Sequence, residues 1–505
     1  MKTAHEQVGA EAHFLGWTTL YILIWTAFRL WFCGRFELIG DEAYNWLWAK
    51  NLDWCYFSKG PMVAVCTWVG VTLFGDTEFG VRFANVMIAG ATGFGVYYLG
   101  SRLFSPRVGF WSVVIISVTP LFVAGSYLMT MDTPYLLFWT LAAIVFWEAK
   151  DTNSLGPWML VGVCVGMGIL SKYTEIIQLL CFAVFCLWVP AYRHHFRRWT
   201  FWGMVLTALA CMTPCFLWNM KHDWCSVAHT LDRGQVDQAL KLSAGQFLSF
   251  MGQQAAVFFP LFFAGLAVSL WRRDIRTAQP VIFRFLVSLC LPLFLFYALL
   301  AWNDDGLANW TAAGYVTGTI LMTATWLALI RERPALKKWV VASLVLALLV
   351  TIALHILAVY RIPGRKDPLV HHRGAKDLAR QVAELQKQYN AQFVIGPGGY
   401  QTTSWLSFYS PSHTPAFIPS TPGHIRHQFS LWPGYERGYE HQNAIFVCSR
   451  PPVPDVLRQE FRSVEFIKET WSLYQGEPEK RYEIYLCRDL TNPQGTWISR
   501  RGKTP

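Results

Sequence analysis

Asp41 and Glu42 stand side by side in Gly40-Asp41-Glu42-Ala43-Tyr44-Asn45-Trp46-Leu47-Trp48, directly after the first long apolar run, Phe14 to Cys33. Trp and Tyr sit well at the headgroup level of a bilayer, so this comb of aromatics sets the two acids at a membrane face. A carboxylate at that depth is costly unless it is paired or functional; the plainer alternative is a solvated acidic turn. Lys59 follows in Tyr56-Phe57-Ser58-Lys59-Gly60-Pro61, Asp132 in Met131-Asp132-Thr133-Pro134, Lys172 in Ser171-Lys172-Tyr173-Thr174 and His222 between Trp218-Asn219 and Asp223-Trp224. Two carboxylates on one surface divide acid–base labour: one takes a proton while the other orients a donor or a cation. Lysines there suit a phosphate through charge-assisted hydrogen bonds, and fixed cations stabilise the charge that gathers on a departing phosphate. Plainer roles stay open beside these. Asp132 or Thr133 suits a helix cap, with Pro134 in the first turn, and a lysine at a helix end also snorkels.

The elements that position these residues are membrane helices. The chain has 505 residues, of which 53% are hydrophobic and 15% charged, which is the composition of a polytopic membrane protein. About eleven apolar runs are able to span or nearly span a bilayer, at 14–33, 83–101, 108–126, 134–148, 158–171, 176–190, 200–218, 247–270, 281–301, 310–330 and 339–360. The first reads as a retained signal anchor. Phe57 to Phe74 reads as a juxtamembrane helix in the interface. The net charge of +11 resides in short loops at every second connection, around Arg102 and Arg107, Arg193 to Arg198, Arg272 to Arg276 and Arg331 to Lys338. That alternation marks them as cytoplasmic and excludes nucleic-acid binding as the reason for the charge. The loops carrying Asp41, Asp132 and Lys172 then lie on the opposite side.

After the turn-rich linker Arg361 to Pro368, the tail mixes an amphipathic helix (Lys376 to Tyr389), short strands (Gln392 to Ile395) and Pro/Gly turns, which together predict a small extracytoplasmic α/β domain. The expected division is a transmembrane catalytic part at 1–360, with a first extracytoplasmic loop at 34–82, and an α/β domain at 361–505. Most of the 12 cysteines lie within apolar runs and are small core residues. Cys448 and Cys487 lie in strand-like segments of the tail, where an oxidising compartment permits a disulfide. No Walker loop, dinucleotide-binding glycine pattern or paired-histidine helix motif is present.

These motifs, in this order, resemble the bacterial members of glycosyltransferase family 39, the protein O-mannosyltransferase-like group, and are similar to the lipid A aminoarabinose transferases. The resemblance runs from Asp41-Glu42-Ala43-Tyr44 through Asp53 to Pro61, Leu73 to Arg82, Met131 to Pro134, Leu170 to Thr174 and Trp218 to Trp224, and ends the membrane part at Ala308-Asn309-Trp310. It implies a polytopic α-helical fold of the GT-C class with a polyprenyl-phosphate sugar as donor. The family's first-loop catalytic aspartate falls on Asp41, its second acidic position on Asp132 and its phosphate-contacting lysine on Lys59; Arg82 closes a matching motif. Ser58 departs from the pattern, because the aminoarabinose transferases carry an acid immediately before that lysine.

The sequence therefore predicts an inverting, membrane-embedded glycosyltransferase of a bacterial inner membrane. Asp41 is the expected base, with Asp132 and Glu42 as companion acids. Lys59, Lys172, His222 and Arg82 are the expected phosphate ligands. No cofactor is assigned; a divalent cation shared by Asp41 and Asp132 is left open. The expected partners are the polyprenyl-phosphate sugar, an acceptor hydroxyl on protein, lipid or glycan, and membrane lipids. The rival class is a transporter or lipid flippase, since membrane carboxylates also serve ion coupling; the absence of an inverted repeat counts against it. A non-catalytic assembly protein would make the loop carboxylates dispensable.

Overall fold

The computed structural model describes residues 2–233, 243–303, 308–362, 372–421 and 425–498, with 369 and 423; residues 363–368 of the expected linker lie outside them. The helices through the membrane part are α1 (Lys2–Cys33), α2 (Gly40–Lys50), α3 (Met62–Phe74), α4 (Glu78–Leu103), α5 (Pro106–Val118), α6 (Pro120–Gly125), α7 (Asp132–Ala149), α8 (Leu155–Ser171), α9 (Ile177–Trp188), α10 (Trp199–Cys211), α11 (Thr213–Lys221), α12 (Cys225–Arg233), α13 (Ala244–Phe258), α14 (Pro260–Trp271), α15 (Arg273–Ala278), α16 (Pro280–Leu300), α17 (Ala312–Glu332) and α18 (Lys337–Val359). The chain divides into two compact units. One comprises Met1–Phe32, Lys59–Val63 and Arg82–His355; the other comprises Cys33–Ser58, Ala64–Val81 and Ile356–Pro505.

The first unit is a helical bundle. Among the described residues, four stretches are long and apolar enough to cross a bilayer: Glu78–Leu103, Pro280–Leu300, Ala308–Glu332 and Pro334–Val359. There are six if α10–α11, bent by 40°, and α13–α14, bent by 105°, each count as one span. Proline interrupts three of the expected apolar runs. Pro120, Pro214 and Pro260 stand in the first turns of α6, α11 and α14, where a proline starts a helix but cannot continue one. The 13-residue α5 rises only about 20 Å, against a hydrocarbon core of about 30 Å. In Ala308–Glu332, 78% of the apolar window is buried, against 17% in Pro334–Val359, so α17 runs through the bundle and α18 along its outside. Around α7 the core is aromatic: Trp139 and Trp158 are fully buried, and Phe146 stacks on Phe182 at 4.0 Å.

The second unit is α/β, as the tail composition predicts. Its sheet runs β1-β2-β4-β3, with β1 at Phe393–Ile395, β2 at Ala444–Cys448, β3 at Phe461–Tyr474 and β4 at Glu477–Leu490. β1 pairs parallel to β2, and the other neighbours pair antiparallel. Three helices accompany the sheet: α19 (Ala375–Gln388), α20 (Tyr400–Tyr409) and α21 (Asp455–Glu460). Leu378, Val382 and Leu385 form the buried stripe of α19, at the spacing of one helix face. The N-cap of α19 is Gly374, which has no side chain to offer. Glu37, from the loop after α1, supplies the cap instead, accepting the N–H groups of Ala375 (2.9 Å) and Lys376 (3.3 Å). Burial pushes the Glu37 carboxyl above its ordinary range, against the pull of those amides. α2 belongs here too: Trp405 donates to the Leu38 carbonyl at 2.8 Å, and the Leu38 N–H donates to the Tyr409 hydroxyl at 2.7 Å.

The disulfide expected between Cys448 and Cys487 is not formed; both cysteines are free and buried. The strands are adjacent, but Cys487 faces Ala444 while Cys448 faces Glu483. Four residues of offset put the two sulfurs about 13 Å apart along the strands.

Asp76, in the turn between α3 and α4, accepts from the Trp46 indole at 2.7 Å and pairs with Lys50 at 2.7 Å. Partial burial opposes ionisation, but the Lys50 and Trp46 donors outweigh it and hold the carboxyl below the usual aspartate value of 3.8. A depressed carboxyl contributes stability above its unfolded pKa and loses it as pH falls through the folded pKa. Thermal unfolding between about pH 5 and pH 2, which brackets that titration, should show a steeper acid loss in the parent than in Asp76→Asn. Parallel curves would remove this anchor from the account.

Candidate active site

The expected residues are divided between the two units. In the second unit Asp41 lies in the first turn of α2, where a negative charge is favoured by the helix dipole. Its Oδ1 accepts the Tyr400 hydroxyl at 2.9 Å and the Gln401 amide at 3.2 Å. Gly40 permits this approach: a Cβ there would come within 2.4 Å of the Gln401 Cβ. Beneath lies an aromatic bed. Tyr44 packs on Tyr400 at 4.5 Å and on Phe429 at 5.8 Å, and its hydroxyl accepts the Gln428 N–H at 2.6 Å. Burial holds the Tyr44 phenol well above its usual range, so it stays neutral.

Glu42, expected as a second acid beside Asp41, has a different part. It is fully buried, and its carboxylate accepts the Ile39 N–H at 3.1 Å, three residues back at the start of its own helix. That is the N3 half of a capping box, and Ile39 has no polar side chain to complete the other half.

In the first unit Asp132 opens α7. It is not the cap: the N-cap residue is Met131, with no side-chain cap bond, and Thr133 donates instead to the Gly125 carbonyl at 2.8 Å. The Asp132 carboxylate receives the Lys172 ammonium at 2.8 Å on one oxygen and the Asn309 amide at 2.5 Å on the other. The side chains of Lys172 and Asp132 are only 6% and 11% exposed, so Lys172 is paired and not snorkelling. It follows Ser171 as the C-cap of α8 in extended backbone, φ −148 and ψ 122, and its ammonium lies 5.3 Å from the centre of the Tyr135 ring. Lys59 is brought to the same unit by Gly60, whose added Cβ would sit 2.1 Å from the Leu170 carbonyl oxygen at the end of α8. Lys59 also lies close enough to His229, on α12, to act on its charge. Arg82 is fully buried in α4. His222 stacks on Trp218 at 3.9 Å and donates from Nδ1 to the Trp218 carbonyl at 2.8 Å, which leaves Nε2 as the acceptor side of the ring.

Sequence reasoning missed four residues here. Tyr400 and Gln401 lie 359 and 360 positions from Asp41, and nothing local announces them. His229 lies on α12, past the Trp218 to Trp224 motif. Glu175 lies three residues past Lys172, fully buried, with neither carboxylate oxygen hydrogen-bonded among the described residues; a buried acid so near the Lys172 motif was readable. A resident divalent cation does not fit Asp132, whose two oxygens are both occupied. Among the described residues no three of His, Cys, Asp and Glu gather as a ligand set.

Comparison with known proteins follows the same lines. The profile of the family described as dolichyl-phosphate-mannose-protein mannosyltransferase matches residues 58–218. Lipid A galacturonosyltransferase RgtD of Rhizobium johnstonii is 26% identical over 358 residues, 70% of this chain and 74% of that protein. An undecaprenyl phosphate-α-4-amino-4-deoxy-L-arabinose arabinosyl transferase of Pseudomonas fluorescens is 28% identical over 180 residues, 34% of this chain and 32% of that protein. The crystal structure of ArnT from Cupriavidus metallidurans bound to undecaprenyl phosphate superposes with a TM-score of 0.63 at 16% identity, covering 93% of this chain and 98% of that one. Its apo form gives a TM-score of 0.60. The fold is therefore that of the GT-C class of integral-membrane glycosyltransferases. Within that class the chain resembles the bacterial family 39 group and the lipid A aminoarabinose transferases.

The Lys172–Asp132 pair generates a test. Asp132→Asn leaves a buried ammonium without its counter-charge, and breaking such a pair costs about 3–5 kcal/mol. Thermal unfolding in detergent should show that loss, and Lys172→Met in the same chain should restore part of it. A double variant no more stable than Asp132→Asn would show that the two charges do not depend on each other.

Proposed function

We propose that this chain is a glycosyltransferase that moves a sugar from a polyprenyl-phosphate donor to an acceptor hydroxyl, with inversion, on the extracytoplasmic side of a bacterial inner membrane. The observation that carries the mechanism is the state of the Asp41 carboxylate. Oδ1 is held by Tyr400 and Gln401, while Oδ2 has no hydrogen-bond partner among the described residues, on a side chain that is only half-buried. One oxygen fixed and one open is the arrangement a general base needs. The acceptor oxygen bonds to the sugar C1 as the bond from C1 to the phosphate oxygen breaks. The hydroxyl proton passes to Asp41, and the electron pair leaves with the polyprenyl phosphate.

Lys59 and Arg82 are the cations assigned to that leaving phosphate, where fixed positive charge counts most in the transition state. His222, whose Nδ1–H is spent on the Trp218 carbonyl, is not assigned to the phosphate. Lys172 is assigned a different part from the one its type suggested: its charge is engaged with Asp132, and the pair positions the start of α7. Residues 1–360 form the catalytic membrane part and 361–505 an extracytoplasmic domain that orients the base and helps to select the acceptor. The alternating basic loops support this orientation. The relationship to the Rhizobium enzyme, over 70% of the chain, favours a glycolipid acceptor of the lipid A kind.

Transfer is measured in proteoliposomes with labelled undecaprenyl-phosphate sugars and a lipid A acceptor. Asp41→Asn should lower turnover by about 10²- to 10⁴-fold, the usual worth of a general base, with insertion and folding unchanged. Lys59→Ala should weaken donor binding and Lys59→Arg should retain part of it, since positive charge near a phosphate is the main requirement. Parental transfer by Asp41→Asn would refute the base assignment. Unchanged donor affinity in Lys59→Ala would return Lys59 to a snorkelling role.

A further inference from the structure

We infer that a slot among α1, α4, α5 and α6 binds one anionic glycerophospholipid, its acyl chain along the slot and its phosphodiester on Arg29. Arg29 lies one turn before the end of α1 and is only 7% exposed. An arginine stays charged in any protein setting, and a buried charge in a membrane bundle needs a partner. The groups acting on this one are the hydroxyls of Tyr127 and Tyr21, with the Trp25 ring centred 5.5 Å away; no carboxylate is among them. Tyr127 is itself fixed. Its hydroxyl lies 2.6 Å from His355 Nε2, and His355 Nδ1 donates to the Thr351 carbonyl at 2.7 Å. The guanidinium is thus held in place with most of its five donors unspent among the described residues.

The slot in front of it has walls of Ile22, Val96, Val113, Ile116 and Phe122, floored by glycine, and about 60 Å³ of free space. A cavity of about 150 Å³ takes up benzene, so this slot admits no sugar ring and only a segment of one extended hydrocarbon chain. Four hydroxyls border it, and each spends its proton on a backbone carbonyl: Thr92 on Ile88, Ser117 on Val113, Ser126 on Val123 and Thr133 on Gly125. The walls therefore offer apolar surface and one full positive charge, with no hydroxyl proton left to read a sugar. One charge matches a phosphodiester better than a phosphate monoester, which carries nearly two. With no carboxylate at hand to receive a headgroup ammonium, the match is to an anionic lipid and not a zwitterionic one. Thr133 borders the slot and follows Asp132, so the occupant bears on the start of α7.

The experiment is native mass spectrometry of the full-length chain released from micelles carrying phosphatidylglycerol, phosphatidylcholine or undecaprenyl phosphate. The parent should retain a single phosphatidylglycerol. Arg29→Met should lose it by about tenfold or more, the worth of a hydrogen bond to a charged group, and Arg29→Lys should fall between. Ala89→Trp, which fills the slot and leaves the charge intact, should lose it as well; this arm decides the matter alone if Arg29→Met does not fold. Equal retention of phosphatidylcholine, retention unaffected by Arg29→Met or Ala89→Trp, or a slot-dependent preference for undecaprenyl phosphate would each overturn the assignment.

Discussion

An ammonium and a carboxylate taken out of water together constrain everything packed around them. Neither Lys172 nor Asp132 is tolerable in this bundle without the other, because each alone would carry the full cost of desolvation. α8 must therefore stop, and α7 must start, where the two groups meet 2.8 Å apart. The extended backbone at Lys172 ends the first helix at that point. Asn309 takes the second carboxylate oxygen, so the geometry is fixed on both sides. The Gly60 turn then seats Lys59 against the same end of α8, which ties a loop residue to a rigid helix terminus.

The two aspartates differ in a way that their shared chemistry does not suggest. Asp132 is saturated: each oxygen has a strong donor, one of them charged. Asp41 is held by neutral donors on one oxygen only. A carboxylate with a donor on each oxygen has no oxygen turned to an incoming hydroxyl, whereas one steadied on a single oxygen by a phenol and an amide keeps the other open and its direction fixed. The assignment of base to one and of positioning to the other follows from these partners and not from order in the chain.

Much of the architecture was legible because membrane proteins write it in composition. The apolar runs, the aromatic comb after α1 and the polar tail are each visible in a short window. The α19 stripe and the β1 strand were read within a residue or two for the same reason. What remained hidden depends on register between distant segments. Cys448 and Cys487 were rightly seen as strand residues, but their four-residue offset is set by how β2 and β4 align. Glu42 looked like a reactive neighbour of Asp41 until the start of α2 made it the third residue of a helix. The helix breaks at Pro120, Pro214 and Pro260 are hidden for a like reason, since the apolar run continues there but the helix does not.

Gly40 and Gln401 are so close that neither side of the contact has room for one more carbon atom. This turns the polar tail from an appendage into a fitted part. A chimaera that exchanged the tail for that of a relative would have to import the first-loop helix along with it, or the new α20 would ride up on α2 and let Asp41 swing free. The natural unit for recombination in this molecule is the tail together with the loop that follows α1, although residues 83–360 of membrane sequence lie between them.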